Sequence, residues 1–360
     1  MIQRIAVVGA GTMGAGIAQL CAQNGFSVKI YDAFPAALET LPARLKSALD
    51  AAVLKGKMTT TQAERAYHSI SPTDKLDELA GADLVLEAAS EELSLKRELF
   101  AALDKICPEA ILATNTSSLS VASIAEAVST PHRVLGFHFF NPPVAMKLVE
   151  LVRAPKTSPE VFQAVWEFAL AGLRKTPVDC KDTPGFIVNR VMRPYYLEGQ
   201  RAARGGSGIA ALDAAARAAG VPMGPFELMD LIGLDVNLAI TRSIYEACGR
   251  PERFAPQPVQ ETLVAGGQLG RKTSVGFYLY EAGKPVGENP AALAQLPKGG
   301  TMTPHAGWER VIDAVIAEAR LAADEGVAGP HDIDTAIKLA MNFPKGPFQW
   351  RAESPAPSKS

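Results

Sequence analysis

The sequence predicts an α/β protein: a mostly parallel sheet covered by helices, followed by an all-α C-terminal region and a half repeat of it. Three observations predict this. Short apolar runs alternate with helix-period stretches through the first half, as buried parallel strands and their crossover helices do. A glycine turn joins the first strand to the first helix at the N-terminus. After Thr183 the strand runs stop, and long helical patterns continue until Gly276.

Ile5-Ala6-Val7-Val8 is wholly apolar and reads as a strand covered on both faces. Gly9-Ala10-Gly11-Thr12-Met13-Gly14 follows, then a helix over 15–24 that ends at Gly25. Ser27 to Tyr31 is the second strand, closing on Asp32. In that setting the glycines carry a dinucleotide signal. Gly9 permits the tight turn, Gly11 lets backbone approach a pyrophosphate, and Gly14 packs the helix on the strand. The helix N-terminus then presents unpaired N–H groups to the phosphates. Asp32, 18 positions after Gly14, suits the adenine-ribose hydroxyls. Its charge repels a 2′-phosphate, and Ala33 and Phe34 supply no arginine, so NAD is expected rather than NADP. The first domain is thus expected to be Rossmann-type.

Residues 36–70 depart from a plain nucleotide fold. Leu38, Leu41, Leu45, Leu49 and Val53 recur at helical spacing, and the pattern breaks near Gly56. This predicts a helical hairpin inserted after the second strand. Its Lys46, Lys55, Lys57 and Arg65 either solvate the helices or form a cationic cradle for a phosphorylated ligand.

Alternation resumes with strands over 82–87 and 110–114 and helices over 94–105 and 118–128. Ser117 and Ser118 precede the latter helix, and Ser118 reads as its N-cap. The run Arg133 to Phe137 ends at His138, and a second run, Met146 to Val152, contains Glu150. Strand alternation puts Glu150 on one face with Leu148 and Val152. A carboxylate among aliphatic side chains is costly without a partner, and an imidazole would suit. The carboxylate would fix the ring tautomer and raise its basicity, which prepares a general base. A helix over 161–172 and a last strand over 175–179 complete the α/β layer. Asp179 and Asp182 read as structural.

Pro184 suits a helix start, and helical patterns cover 186–204, 209–219 and 226–248. Residues 276–280 form a strand run, and the stretch after it is rich in Gly and Pro. A repeat follows. Arg190, Glu198 and Gly224-Pro225-Phe226 recur as Arg310, Glu318 and Gly346-Pro347-Phe348. The second copy stops near Trp350, so it is half a unit that packs on the first. The expected organisation is 1–183 dinucleotide domain, 184–282 helical domain, 283–307 linker, 308–350 partial repeat and 351–360 disordered tail.

A formal net charge of −2 argues against nucleic acid or an anionic membrane as partner. The apolar runs are too short to span a bilayer, and the first strand leaves no room for a leader. Four scattered cysteines read as free thiols in a reducing cytoplasm. The histidines lack metal-ligand spacing, so no metal is expected.

Six blocks in order resemble the L-3-hydroxyacyl-CoA dehydrogenase family, including its 3-hydroxybutyryl-CoA branch. They are the glycine turn, Asn115-Thr-Ser-Ser-Leu119, His138-Phe-Phe-Asn-Pro142, Met146-Lys-Leu-Val-Glu150, Lys181 to Arg190, and Gly224 to Leu228. The resemblance implies NAD-dependent oxidation of a short 3-hydroxyacyl-CoA. It places the catalytic dyad on His138 and Glu150, the active-site serine on Ser117 and the active-site asparagine on Asn189. It further implies cofactor contacts at Glu91, Lys96 and Asn115, beside Gly9, Gly11, Thr12, Met13, Gly14 and Asp32. Glu92, next to Glu91, leaves open which carboxylate meets the cofactor. CoA would lie on the inserted hairpin, at Lys55. Two other readings stand beside this one: an L-gulonate dehydrogenase resembling λ-crystallin, and a non-catalytic NAD-binding protein. Family members dimerise through the helical domain, so the expected assembly is a homodimer or a pseudo-dimeric monomer.

Overall fold

The computed structural model describes residues 2–351, and of Arg351 the backbone alone. The rest of the expected 351–360 tail lies outside the described residues. The chain divides into two compact units, Met1–Thr183 and Pro184–Ser360.

Unit 1 runs β1 (Arg4–Val8), α1 (Thr12–Gln23), β2 (Ser27–Tyr31), α2 (Pro35–Leu54), α3 (Thr60–His68), β3 (Ile70–Thr73), β4 (Leu84–Glu87), α4 (Leu93–Ile106), β5 (Ile111–Thr114), α5 (Val121–Ala125), β6 (Val134–Phe139), β7 (Leu148–Arg153), α6 (Pro159–Glu167) and β8 (Thr176–Lys181). The sheet order is β3-β2-β1-β4-β5-β6-β7-β8. Neighbours are parallel except β6 and β7. Winding reverses between β1 and β4, which opens the crevice where doubly wound sheets take ligands. The central strands are apolar and buried on both faces, as layered parallel sheets require.

The inserted hairpin is α2 and α3. Pro35 opens α2, and Gly56, at φ +65°, turns the chain after it. Thr59 and Gln62 form a reciprocal capping box that starts α3. Sequence reasoning missed β3, whose Ile-Ser-Pro-Thr reads as a turn. It is an edge strand, where proline is tolerated. The expected helix over 118–128 shrinks to α5, and Ser120, not Ser118, caps it by accepting from Ser123 N at 3.2 Å. Asp182 reinforces that cap, accepting from Val121 N and Ala122 N.

Unit 2 continues with α7 (Val188–Val191), α8 (Arg193–Ala202), α9 (Ile209–Ala218), α10 (Pro225–Ile232), α11 (Leu234–Ala247), α12 (Pro258–Ala265), β9 (Tyr278–Glu281), β10 (Lys284–Glu288), α13 (Pro290–Leu293), α14 (Pro304–Asp324), α15 (Pro330–Met341) and α16 (Pro347–Arg351). The expected helix over 186–204 is interrupted at Met192, because Pro194 lacks the N–H that Arg190 O would accept. The expected helix over 226–248 breaks at Gly233, where φ is +100°. The region expected as a linker holds β10, paired antiparallel with β9, and α13. The helical unit therefore carries a two-stranded hairpin.

The repeat is visible as side-chain geometry. Arg190 Nε donates to Glu318 Oε1 at 2.8 Å, and Arg310 Nε donates to Glu198 Oε2 at 2.5 Å. Each arginine of one copy thus holds the glutamate of the other. Both Gly-Pro-Phe turns are built alike. Phe226 N donates to Asp213 Oδ1 at 3.1 Å and Phe348 N to Asp334 Oδ1 at 2.9 Å. A Cβ on Gly224 or Gly346 would lie 2.2 Å from the corresponding aspartate oxygen, so both turns demand glycine.

Candidate active site

At the C-terminal edge of β1 the glycine turn is forced by contacts. A Cβ on Gly14 would sit 1.8 Å from Gly9 O, and Gly9 itself has φ +101°. No side chain caps α1, and its first turn has no acid. Its N–H groups at Thr12, Met13 and Gly14 are the orphan donors that suit a pyrophosphate. Asp32 ends β2 beside this turn. Its Oδ2 accepts from Ala10 N at 2.7 Å and its Oδ1 from Phe34 N at 2.9 Å. Nothing in the residue pattern pointed to Arg44, which reaches back from α2 and donates to Ala10 O and Gly11 O. These groups fit a dinucleotide with a free ribose.

β6 carries His138 to the same edge of the sheet, because β1, β4, β5 and β6 run parallel. The antiparallel pairing of β6 with β7 sets His138 directly opposite Glu150. His138 Nδ1 lies 2.6 Å from Glu150 Oε2. Glu150 is fully buried and His138 nearly so. The contact is a cross-strand pair, whose Cβ atoms the sheet holds close without any loop. Such a carboxylate fixes the ring's orientation and tautomer.

The other expected residues cluster around the ends of β4 and β5. Glu87, fully buried at the end of β4, accepts from Lys96 Nζ at 2.6 Å and Thr114 Oγ1 at 2.7 Å. Lys96 is 1% exposed and also lies 3.5 Å from Glu91 Oε2. Glu91 Oε1 accepts from Thr116 Oγ1, Ser117 N and Ser118 N at 2.6, 2.8 and 3.1 Å. Burial alone would push the Glu91 carboxyl up. Lys96 and the 116–118 donors more than offset it and hold it below the ordinary carboxylate range. Glu91 rather than Glu92 therefore organises the loop bearing Ser117. Asn115 Oδ1 accepts from Phe139 N at 2.8 Å and ties that loop to the His138 strand.

Sequence reasoning missed Glu87, Thr116 and Lys175. Lys175 is 5% exposed, and its ammonium donates to Pro143 O and Met146 O, both at 2.6 Å. Burial pushes it down to about 8, with Cys21 opposing. It pins the turn between β6 and β7. That turn, at Asn141 to Val144, forms one wall of a groove of about 380 Å³ whose other walls include Thr12, Arg44, Lys55 and Lys57. Lys55 is thus grouped with the glycine turn and the His138 loop. A larger groove, about 950 Å³, lies at the opposite strand ends against Arg4, Asp83 and Phe168, and holds none of the expected residues. Asn189 lies in α7 of unit 2.

Among the described residues no cluster of His, Cys, Asp and Glu could hold a metal, and no helix is long and apolar enough to cross a membrane. A doubly wound sheet with an open glycine turn, and a paired imidazole and carboxylate on the same edge, is the architecture of an NAD-dependent dehydrogenase. Comparison with known proteins narrows the class. Residues 4–183 match the 3-hydroxyacyl-CoA dehydrogenase NAD binding domain, and residues 185–280 with 308–353 match the family's C-terminal domain. The chain is 38% identical to the 3-hydroxyadipyl-CoA dehydrogenase of Escherichia coli K12, over 98% of this chain and 91% of that protein. It is 41% identical to the 3-hydroxybutyryl-CoA dehydrogenase of Clostridioides difficile, over 77% of this chain and 99% of that protein. The crystal structure of a 3-hydroxybutyryl-CoA dehydrogenase from E. coli K12 superposes with a TM-score of 0.88 at 36% identity, covering 98% of this chain and 92% of that one. The chain belongs to the 3-hydroxyacyl-CoA dehydrogenase family.

Proposed function

We propose that this protein oxidises L-3-hydroxyacyl-CoA thioesters to 3-ketoacyl-CoA with NAD, using His138 as general base. The observation that carries the reading is the 2.6 Å contact between His138 Nδ1 and Glu150 Oε2. Glu150 engages Nδ1, so Nε2 is the nitrogen that takes the C3 hydroxyl proton. Glu150 also offsets the charge that the imidazole gains. A positioned base of this kind contributes about 10²–10⁴-fold. Ser117 and Asn189 hydrogen-bond the substrate oxygens and orient C3. Orientation can be worth roughly 7–11 kcal/mol when the geometry is good.

Gly9, Gly11 and the α1 N–H groups at Thr12, Met13 and Gly14 would hold the pyrophosphate, and Asp32 the adenine ribose. Glu91, Lys96 and Asn115 would face the nicotinamide half. Bound NAD supplies the hydride acceptor. Lys55, beside Thr12 in the hairpin groove, would take a phosphate of CoA. The named relatives act on short 3-hydroxyacyl chains, one ending in a methyl group and one in a carboxylate. The same short-chain class is proposed here.

The test follows NADH absorbance with acetoacetyl-CoA as oxidant, beside NAD reduction by L-gulonate. Turnover of the thioester that His138→Gln abolishes, with NADH affinity retained, supports the reading. Turnover of L-gulonate alone, or of neither, would overturn it. The crossed Arg190–Glu318 and Arg310–Glu198 pairs favour an assembly in which residues 308–350 supply internally the face a second subunit would otherwise cover, giving a pseudo-dimeric monomer.

A further inference from the structure

Lys175 is a buried cation that the mechanism above does not use. It directly precedes β8, is 5% exposed, and aims its ammonium at the turn between β6 and β7. That turn has a local cause. Ala145 N and Met146 N both donate to Pro142 O at 3.0 Å, which closes a single helical turn. The chain then enters β7 at Leu148 instead of continuing as a helix, so the carbonyls after Pro142 lack helical donors. Lys175 supplies them. Its Nζ lies 2.6 Å from Pro143 O, 2.6 Å from Met146 O and 3.5 Å from Val144 O. An ammonium has three donors and no acceptor, which suits a ring of carbonyls.

The same turn is seated on α1. A Cβ on Gly16 would lie 2.9 Å from Pro143 Cδ, so the proline ring rests against bare backbone. Pro142, Pro143 and Val144 then wall the groove of about 380 Å³ that Arg44, Lys55 and Lys57 also line. All of these groups belong to unit 1. The charge that holds the wall sits close to its own titration. Burial pushes Lys175 down to about 8. The ionisable group that α1 sets against it is the Cys21 thiol, which opposes the shift and is itself pushed up to about 12 by burial. Lys147 in the turn and Arg174 beside Lys175 are exposed cations. Deprotonation removes one donor and turns a lone pair toward the carbonyls. Charge-assisted hydrogen bonds are roughly twice as strong as neutral ones, so the hold on the turn weakens by about half.

We propose that Lys175 is the positioning residue of this groove: its ammonium, while charged, gathers the carbonyls of the turn and keeps in place the wall against which the nucleotide end of the CoA thioester packs. This rests on the activity and the Lys55 role proposed above. Lys175 touches no reacting atom and acts through the turn alone. Affinity for the nucleotide end therefore falls as Lys175 loses its proton. His138 is held by the β6–β7 ladder instead, so the reacting end of the substrate is spared.

The test uses the full chain and two thioesters of 3-hydroxybutyrate, one of CoA and one of N-acetylcysteamine, which lacks the nucleotide. The readout is the ratio of their kcat/KM values with NAD, from about pH 7 to about pH 9, on either side of the Lys175 value. Both substrates share His138 and any general damage to the enzyme, so the ratio cancels these. In the wild type the ratio is expected to fall about tenfold across that window, as two charge-assisted bonds become neutral ones. Lys175→Met should start about tenfold low and stay flat. A wild-type ratio that is large and constant overturns the proposal, and needs no variant to fold. A fall that Lys175→Met retains also overturns it. A wild-type ratio near unity at about pH 7 overturns the proposal together with the Lys55 role. Turnover of neither thioester refutes the proposed activity itself.

Discussion

Replacing Glu150 with glutamine removes one charge and little else. The carboxylate is fully buried and 2.6 Å from His138 Nδ1. The substituted amide would still present an oxygen to that nitrogen, so the ring's orientation survives. What disappears is the attraction for the imidazolium that forms as the hydroxyl proton transfers. Two unit charges with centres near 4 Å interact by about 4 kcal/mol at an effective dielectric of about 20. If roughly half of the charge has developed at the transition state, about 2 kcal/mol is lost, and up to about 4 if transfer is complete. At about 1.4 kcal/mol per decade that is a fall in kcat of about 30-fold to 10³-fold. Trading a charged for a neutral hydrogen bond costs about 1 kcal/mol of stability, a few degrees in Tm for a domain of this size. The assay is kcat with acetoacetyl-CoA and NADH, alongside NADH affinity and thermal unfolding. A kcat within about fivefold of wild type, in a folded protein that binds NADH normally, would refute Glu150's electrostatic role.

Other outcomes follow from the same geometry. Asp32→Ala should weaken NADH binding by about tenfold or more, since Ala10 N and Phe34 N lose their acceptor along with the ribose. It should also narrow the preference over NADPH, both measured by fluorescence titration. In unit 2, burial raises Asp213 to about 7 and Asp230 to about 6, against the pull of their backbone and tyrosine donors. The folded state then binds more protons than the unfolded chain between the ordinary aspartate value and those values, so stability is lost as pH rises through that window. The urea midpoint of unit 2 should be higher near about pH 5 than near about pH 8. Glu318→Gln should cost about 3 kcal/mol or more, because Arg190 and Arg253 both lose a buried partner. Light scattering of the wild type should return the mass of a single chain.

The dinucleotide turn was legible in the sequence because its constraints are local. Gly14 answers to a contact within its own strand–turn–helix unit, where a Cβ would come to 1.8 Å from Gly9 O, and Gly9 to its own φ of +101°. Helix periodicity likewise located the α2–α3 hairpin, and pleat alternation placed Glu150 on an apolar face that required a partner. The repeat was readable because identical turns need identical glycines, while the aspartates that hold those turns emerged only in the structure. Local propensity misjudged other elements. Ile-Ser-Pro-Thr was not read as a strand and is an edge strand, because pairing with β2 supplied what its sequence lacked. Ser118 looked like a cap, yet Asp182, 62 positions beyond Ser120, fixes where α5 begins.

By itself, then, the sequence pointed to the residues proposed to bear the chemistry and determined the local turns that hold them. Beyond the His138–Glu150 pair, which the sequence anticipated, the tertiary structure decided which charges meet. Antiparallel pairing of β6 with β7 set His138 opposite Glu150. Packing brought Glu91 to Ser117, Arg44 to the glycine turn and Lys175 to the β6–β7 turn. Such partners lie tens of residues apart in the chain. Coulomb energy depends on separation in space and on burial, and neither is written in the order of the residues.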